Sequence, residues 1–406
     1  MSLSDRCVAV IGGGITGASA ALELARAGVR VELVEKDDFI GGHAAKLACK
    51  AVDDCQSCNV CLAEPRLREL LRHPLINIRR RSQLRQVTPQ GSSFLLSLEQ
   101  RPAYIDPNSC TGCGLCLERC PEENALRQPP LPGDSPYLAV DPEHCLYFHD
   151  QKSTLCRDVC SEEAINFEQE PNQDQITADA IILATGFAPY PAQEKARLGY
   201  GRLPDVVTAM ELEAQMRGTG RPSRPSDGSL PARGAVIQCV GSREVRGNDY
   251  GSRVCCGYAL RLGRMLKHRF SAQVTVFYMD LQSFGHVYDG FLAKAKQELN
   301  LVRAMPYDVW PGDDGGVEIE YQGESGQELL REPFDLLALS VGMQPGADQP
   351  ELARMLNLEP DKHGFLGNGV QGIFPAGAVV RPMDVAECVT QASRAANLAI
   401  NYLEEA

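Results

Sequence analysis

The residues of this chain best suited to chemistry are its cysteines, and one group of them has the spacing of iron-sulfur ligands. Cys110, Cys113, Cys116 and Cys120 follow the pattern C-x2-C-x2-C-x3-C, and Pro121 comes directly after them. Thiolates at this spacing hold a 4Fe-4S cluster, and in two-cluster proteins the fourth of them ligates the other cluster. The sequence therefore predicts one-electron transfer and a second cysteine run downstream.

The second run is present, but a serine stands at one of its ligand positions. Cys145, Cys156 and Cys160 occupy three expected positions, and Ser153 occupies the one three residues before Cys156. With Cys120 from the first run, the second cluster would have three sulfur ligands. We expect a 3Fe-4S centre, or a 4Fe-4S centre with an oxygen ligand, at a potential unlike its neighbour's, because ligand type and charge tune iron-sulfur potentials. The alternative is that this cluster is lost and only its loop remains.

A further group of thiols falls in a loop near the N-terminus, here called the cysteine loop. Cys55, Cys58 and Cys61 are separated by two residues each and come shortly after Gly42. Three ligands from one loop favour an iron-sulfur cluster, with Cys49 or a thiol from elsewhere as the fourth ligand. The alternative is a redox-active dithiol that reduces a disulfide.

The other thiols form one more group and two isolated residues. Cys239 lies in a strand-like segment, and the vicinal pair Cys255 and Cys256 follows after a loop. We expect these three to bind metal or to act in disulfide chemistry. Cys7 and Cys388 lie inside a strand-like and a helix-like segment, where a thiol behaves as a small core residue.

A glycine-rich turn near the N-terminus predicts a dinucleotide site. The apolar run 7–11 is typical of a buried parallel strand, and Gly12, Gly14 and Gly17 follow it in the pattern G-x-G-x-x-G at the start of a helix. The glycines let the backbone approach a pyrophosphate, and the helix N-terminus offers it unpaired N–H groups and partial positive charge. A second apolar run ends at Glu35, which is placed to accept hydrogen bonds from a ribose.

Two later segments resemble those of two-dinucleotide-binding flavoproteins. Residues 181–187 are similar to the crossing segment of these proteins, a strand that ends in the residues Ala-Thr-Gly. Residues 372–377 are similar to the strand that passes the flavin. An acidic residue commonly follows that strand, but Ala378 stands there in this chain. The helix-like segment 385–403 would point its N-terminus at the flavin and stabilise a reduced, anionic form through its dipole. The resemblance implies FAD rather than NAD. The residues it implies for this site are Gly12, Gly14, Ile15, Thr16, Gly17, Glu35, Lys36, Gly42, His43, Ala184, Thr185, Gly186, Gly377 and Ala378.

Over nearly its full length the sequence resembles the A-type subunit of heterodisulfide reductase, a flavin and iron-sulfur protein. The residues that carry the resemblance are Asp54–Cys58, Asp141–Phe148, Cys239–Arg243, Ser252–Cys256, Val276–Asp280 and Ser340–Met343. Members of that family have a further cysteine where this chain has Gly251, so the cluster beside the flavin would lack a ligand that the cysteine loop could supply. The short chain resembles the form found in bacterial sulfur-oxidising complexes and the A-type subunit of the quinone-interacting oxidoreductase.

The resemblance implies an oxidoreductase subunit in sulfur metabolism, in which FAD exchanges electron pairs and passes them singly to two or three iron-sulfur clusters. It implies partners of the heterodisulfide reductase B and C type and a homodimer. The metal ligands it implies are Cys110, Cys113, Cys116, Cys120, Cys145, Cys156, Cys160, Cys55, Cys58, Cys61, Cys239, Cys255 and Cys256.

Three alternatives stay open. The first is an NAD(P)H-dependent disulfide reductase that uses Cys255 and Cys256 or Cys55 and Cys58; against it, no second G-x-G-x-x-G follows the strand-like segment 235–239. The second is a quinone-interacting oxidoreductase subunit. The third is a scaffold that has lost one cofactor, which flavin content would test.

The composition argues against nucleic-acid binding and against a membrane-spanning or exported protein. With 40 basic and 53 acidic residues and a net charge of −13, the chain disfavours nucleic-acid binding, and we expect its basic run at 79–81 to be a solvated face. No stretch approaches the ~20 apolar residues of a membrane-spanning helix, and the N-terminus lacks the pattern of a signal peptide. Sixteen cysteines without an export signal favour metal or redox chemistry in the cytoplasm.

The predicted fold is α/β: a two-dinucleotide-binding-domain flavoprotein similar to thioredoxin reductase, with an inserted ferredoxin-like α+β module. We expect the FAD domain to comprise residues 1–100, 171–232 and 346–406, the ferredoxin-like insertion 101–170, and a second α/β domain without an NAD motif 233–345. Segments rich in proline and glycine at 128–133 and 217–234 support these boundaries.

Overall fold

The structure is a computed structural model that describes residues 2–122, 124–130, 138–149, 153–282, 288–313, 315–323, 326 and 328–405. Its first domain is built on a parallel sheet with strands β1 (Cys7–Ile11), β2 (Arg30–Val34), β3 (Ile76–Arg79), β9 (Ala180–Leu183) and β20 (Ile373–Pro375). Their order is β20-β9-β1-β2-β3. All five residues of β1 are buried, as its apolar run predicts for a parallel strand covered on both faces.

Helices cover one face of this sheet and a second sheet covers the other. The helices of the domain are α1 (Ile15–Arg26), α2 (Gly42–Lys46), α3 (Ala63–Leu70), α9 (Gln349–Met355) and α10 (Val385–Glu405). Buried alanines of α1 and α10 belong to one core cluster, which lets the two helices approach closely. The antiparallel strands β4 (Ser82–Gln90), β5 (Ser93–Gln100) and β8 (Asn172–Ala178) form the second sheet.

The ferredoxin-like module is inserted between β5 and β8, where the sequence predicts an insertion. Its elements are α4 (Leu115–Arg119), β6 (Leu126–Arg127), β7 (Ala139–Val140) and α5 (Leu155–Asp158). The module has its own small apolar core, in which Ile105, Ile165 and Phe167 pack against cysteine side chains.

The second domain contains a five-stranded parallel sheet and a three-stranded antiparallel sheet. The parallel strands are β11 (Val206–Thr208), β12 (Arg233–Val240), β13 (Gln273–Phe277), β14 (Asn300–Val302) and β18 (Leu336–Val341), in the order β11-β18-β12-β13-β14. The antiparallel strands are β15 (Asp308–Pro311), β16 (Val317–Gln322) and β17 (Leu329–Phe334). The helices are α6 (Ala209–Thr219), α7 (Cys255–Phe270) and α8 (Tyr288–Glu298).

The start of the second domain differs from the predicted boundary at residue 233. β11 pairs with β18, so residues 206–208 belong to the second sheet rather than to the FAD domain. The chain crosses between the domains where β10 (Ala188–Pro189) pairs with β19 (Met343–Gln344). The boundary therefore lies just after β10. None of the helices within the described residues is both long and apolar enough to cross a membrane.

Candidate functional site

A cavity of about 950 Å3 lies between the two α/β domains, and residues of both line it. It runs from the glycine-rich turn after β1 to the first turns of α7 and α10. The predicted cofactor residues that line it are Gly12, Gly14, Ile15, Thr16, Glu35, Lys36, Gly42, His43, Ala184, Thr185, Gly186 and Ala378. Gly17 and Gly377 do not line the cavity; they pack against Gly12 and Thr16, which do. The predicted FAD residues are thus brought together around one cavity.

The glycine-rich turn needs its glycines for two different reasons. At Gly17 a Cβ would lie 1.8 Å from the carbonyl oxygen of Gly12, so the helix can approach the turn only without a side chain. At Gly14 a Cβ would meet no protein atom within 4 Å, because this residue faces the cavity. Gly14 also precedes the first residue of α1, whose unpaired N–H groups make an anion site there.

Glu35 closes the turn from the end of β2. One of its carboxylate oxygens accepts a hydrogen bond from the N–H of Gly13 at 2.6 Å, and the other accepts one from the N–H of Asp37 at 2.8 Å. The side chain is buried at the cavity wall, and burial raises the pKa of this carboxyl to about 7. Glu35 therefore holds the backbone around the position predicted for a ribose.

The raised pKa of Glu35 predicts a pH dependence for the flavin-free protein. Because the folded pKa, about 7, lies above the value of 4.5 for a free carboxyl, this group stabilises the fold fully below pH 4.5, and that contribution is lost as pH rises through 7. The shift corresponds to about 3 kcal/mol. We expect the difference in unfolding free energy between wild type and Glu35→Gln to change in this direction across that range in urea titrations. A pH-independent difference would contradict the assignment.

The N-terminus of α10 lies at the end of the cavity that Arg253 of the second domain lines. The helix begins at Val385, as predicted, and the carboxylate of Asp384 accepts a hydrogen bond from the N–H of Glu387 at 2.8 Å. Glu387 forms ion pairs with Arg253 of the second domain at 2.9 Å and with Arg381 at 3.3 Å. The helix dipole is therefore accompanied by two carboxylates and two guanidinium groups, which the sequence did not reveal.

Three buried thiols meet at this end of the cavity. Cys239 belongs to β12, and Cys255 and Cys256 begin α7. The Cys255 thiol is hydrogen-bonded to both of the others and lines the cavity. Its hydrogen bonds lower the pKa of Cys239 and bring that of Cys256 to about 7, while its own pKa is raised. The structure thus brings Cys239 together with the vicinal pair Cys255 and Cys256.

The cysteine loop reaches the same cavity with one of its thiols. Cys58 is half-buried and lines the cavity, whereas Cys49, Cys55 and Cys61 are exposed. Cys7 and Cys388 are buried, as predicted for core thiols, and burial raises the pKa of each to about 11. Each of the sixteen cysteines is described and is a free thiol.

The ferredoxin-like module arranges its thiols in two sets. Cys110, Cys113, Cys116 and Cys160 line one small cavity of about 30 Å3, so the fourth thiol comes from the other run, as the spacing rule predicts.

The second set contains Cys120, Cys145 and Cys156. Burial and the neighbouring Cys145 and Cys120 thiols raise the pKa of Cys156 to about 11. Ser153 is half-buried, just before α5. Within the described residues no three His, Cys, Asp or Glu side chains converge on a point suited to a single metal ion. Cluster binding does not require such a point, because the thiolates of an iron-sulfur cluster bind different iron atoms.

The module contacts the FAD domain beside the glycine-rich turn. Arg127 of β6 forms an ion pair with the buried carboxylate of Asp38, and Arg101 donates a hydrogen bond to the carbonyl of Lys36 at 2.9 Å. Burial raises the pKa of Asp38, and Arg127 and Arg101 oppose this. The ferredoxin module therefore lies beside Lys36, which lines the cavity.

The basic run at 79–81 makes its contacts with groups inside the protein. Arg79 pairs with Glu32 at 2.6 Å and also with Asp174, and Arg80 donates to the carbonyl of Asp38 at 3.3 Å. These contacts tie the half-buried run to the first domain, so it is not the solvated face that the sequence predicted.

Comparison with known proteins supports this arrangement. Residues 7–87 match the family model described as FAD dependent oxidoreductase, and residues 103–123 match the 4Fe-4S binding domain. The A-type subunit of the ferredoxin:CoB-CoM heterodisulfide reductase of Methanosarcina mazei is 31% identical across 99% of this chain and 54% of its own length. The iron-sulfur A-type subunit of the CoB–CoM heterodisulfide reductase of Methanocaldococcus jannaschii is 32% identical across 97% of this chain and 64% of its own length. The chain is similar to these A-type subunits over nearly its whole length.

The chain is therefore an oxidoreductase that carries FAD and 4Fe-4S clusters. It spans about half the length of the Methanosarcina relative. Among solved structures it is similar to thioredoxin reductase of Lactococcus lactis, with a TM-score of 0.55 and 16% identity over 99% of this chain and 100% of the other. Thioredoxin reductase of T. acidophilum gives a TM-score of 0.55 and 15% identity over 98% and 99%. These matches confirm the predicted two-domain flavoprotein fold with a ferredoxin-like module.

Proposed function

We propose that the chain is the flavin-bearing electron-transfer subunit of a heterodisulfide reductase-like complex in sulfur metabolism, working in the cytoplasm with B- and C-type subunits and as a homodimer. The observation that carries the proposal is a cavity lined both by a dinucleotide turn and by Cys255, whose thiol contacts two further buried thiols. A flavin bound there would supply conversion between two-electron and one-electron transfer.

Different residues would bind the parts of the FAD and the iron-sulfur clusters. Gly14 and the N–H groups of α1 would bind the pyrophosphate, and Glu35 would orient the ribose. The thiols of Cys239, Cys255 and Cys256 would hold a cluster next to the flavin, and those of the ferredoxin module would hold two more. The free thiols suit metal ligation in a reducing compartment.

The second domain favours this function over an NAD(P)H-dependent disulfide reductase. After β12, a Cβ at Gly241 would lie 2.0 Å from the ring of Tyr190, so an aromatic side chain packs on the turn where a nucleotide pyrophosphate would bind. Arg243 and Asp280 form an ion pair beside it. We expect anaerobic NADH and NADPH to leave the flavin absorbance unchanged while dithionite bleaches it. Rapid bleaching by either nucleotide would favour the disulfide reductase instead.

Ser153 offers a separate test of the ferredoxin-type relay. With Cys120, Cys145 and Cys156 as its thiol ligands, we expect the second cluster of the oxidised protein to give a 3Fe-4S EPR signal. A Ser153→Cys variant supplies the fourth thiolate and should replace this signal with that of a reducible 4Fe-4S cluster. A spectrum unchanged by the substitution would show that Ser153 does not lie at the cluster.

A further inference from the structure

We propose that Cys58 joins Cys239, Cys255 and Cys256 as the fourth ligand of an iron-sulfur cluster that the two α/β domains hold between them. The inference rests on the proposed function, because it completes the ligand set of a cluster that this function requires.

The thiol group of the second domain is one ligand short. Cys239, Cys255 and Cys256 are each less than a tenth exposed and hydrogen-bonded through Cys255. A 4Fe-4S cluster is ordinarily held by four cysteine thiolates. Another group must therefore reach this site if it holds such a cluster.

Gly251 lies near the site but has no side chain to offer. A Cβ at this position would be 3.8 Å from Cγ of Arg243, whose guanidinium group interacts with the Cys239 thiol. Gly251 does not have a positive φ, so its backbone accepts any residue. A small side chain at this position would therefore fit in ordinary van der Waals contact with Arg243.

The cysteine loop supplies the missing thiol from the opposite domain. Cys58 and Cys255 line the same cavity, together with Tyr258 of the first turn of α7. Cys55 and Cys61, at equal spacing on either side, are exposed and do not line it. Of the loop thiols, Cys58 is the one that lines the same cavity as Cys255.

The loop is also fixed against the helix that bears Cys255. The side chain of Arg261 donates to the carbonyl oxygen of Gln56 at 2.7 Å, and Arg264 donates to its side-chain oxygen at 3.2 Å. Gln56 itself is buried. Both arginines belong to α7, so these bonds hold the chain two residues before Cys58 against that helix. A ligand placed by such contacts is preorganised rather than free to swing.

The test compares Cys58→Ala with Cys55→Ala and Cys61→Ala, all purified anaerobically, by iron and flavin content and by EPR after dithionite reduction. We expect Cys58→Ala to lose one cluster signal and its iron, and the two control variants to keep both. The flavin content and the ferredoxin-type signals report that each variant is folded. Adding Gly251→Cys to Cys58→Ala should restore the lost signal, because the new thiol is placed next to Arg243, whose guanidinium group interacts with the Cys239 thiol.

Two results would overturn the inference. If Cys58→Ala keeps every cluster signal and its iron, Cys58 is not a ligand. If all three loop variants lose the same signal, the cysteine loop holds a cluster of its own. In both cases the flavin and ferredoxin signals still support the proposed function, which is tested separately by the clusters of the wild-type protein and by its response to NADH and NADPH.

Discussion

A Gly17→Ala variant is expected to lose FAD and much of the stability of the first domain. The added Cβ would lie 1.8 Å from the carbonyl oxygen of Gly12, and a backbone atom cannot move aside as a flexible side chain can. Either α1 shifts away from the turn or the turn opens, and overpacking of this kind costs about 3 kcal/mol. Bound flavin after gel filtration and the midpoint of urea unfolding measure the two effects.

Gly14→Ala and Gly218→Ala make matched comparisons. At Gly14 the new methyl group meets no protein atom within 4 Å but enters the cavity, so the chain should fold normally and bind FAD on the order of tenfold more weakly, or ~1.4 kcal/mol. Gly218 lies in α6 with equal space around it, and alanine there should leave both properties intact. If Gly14→Ala bound FAD as tightly as wild type, the turn would not be the pyrophosphate site.

The second large effect is expected from the ion pair of Lys50 and Glu213. Both side chains are buried, at 2% and 0% exposure, and Glu213 also accepts a hydrogen bond from the N–H of Ala48 at 3.1 Å. Lys50→Met would leave an unpaired carboxylate in the interior, which costs about 3–5 kcal/mol. We expect a correspondingly lower urea midpoint, and loosening of the cysteine loop from the second domain.

A double variant separates the charge from the packing. Lys50→Met with Glu213→Gln removes both charges and keeps an acceptor for Ala48, so most of the lost stability should return. The exposed pair of Lys294 and Asp54, at 56% and 52% exposure, is the control; Lys294→Met should cost no more than about 1 kcal/mol. Equal losses in the single and double variants would show that packing, not charge, explains the effect.

The features that sequence predicted well are those encoded by neighbouring residues. β1, the glycine-rich turn and the first ferredoxin run are each specified within about a dozen positions, because strand burial, tight turns and cluster ligation need particular residues at fixed short spacing. The crossing of Cys160 to the first cluster set was also predictable, since it follows from the ligand rule of two-cluster ferredoxins.

The features that sequence missed depend on pairing across long distances. β11 has three residues and pairs with β18 more than a hundred positions later, so no local pattern separates it from the preceding FAD domain. Lys50 resembles a surface lysine until the fold places it beside Glu213, 163 residues away. Arg253 likewise forms an ion pair with Glu387 across the domain boundary, which no local sequence pattern indicates.

The measurement that tests the central claim most directly is EPR on anaerobically purified protein, reduced stepwise with dithionite while flavin absorbance is read on the same samples. We expect bound FAD together with several 4Fe-4S signals that appear on reduction, and an oxidised 3Fe-4S signal from the site of Ser153. Flavin without any cluster signal, in protein fully supplied with iron and sulfide, would contradict it and indicate a dithiol disulfide reductase.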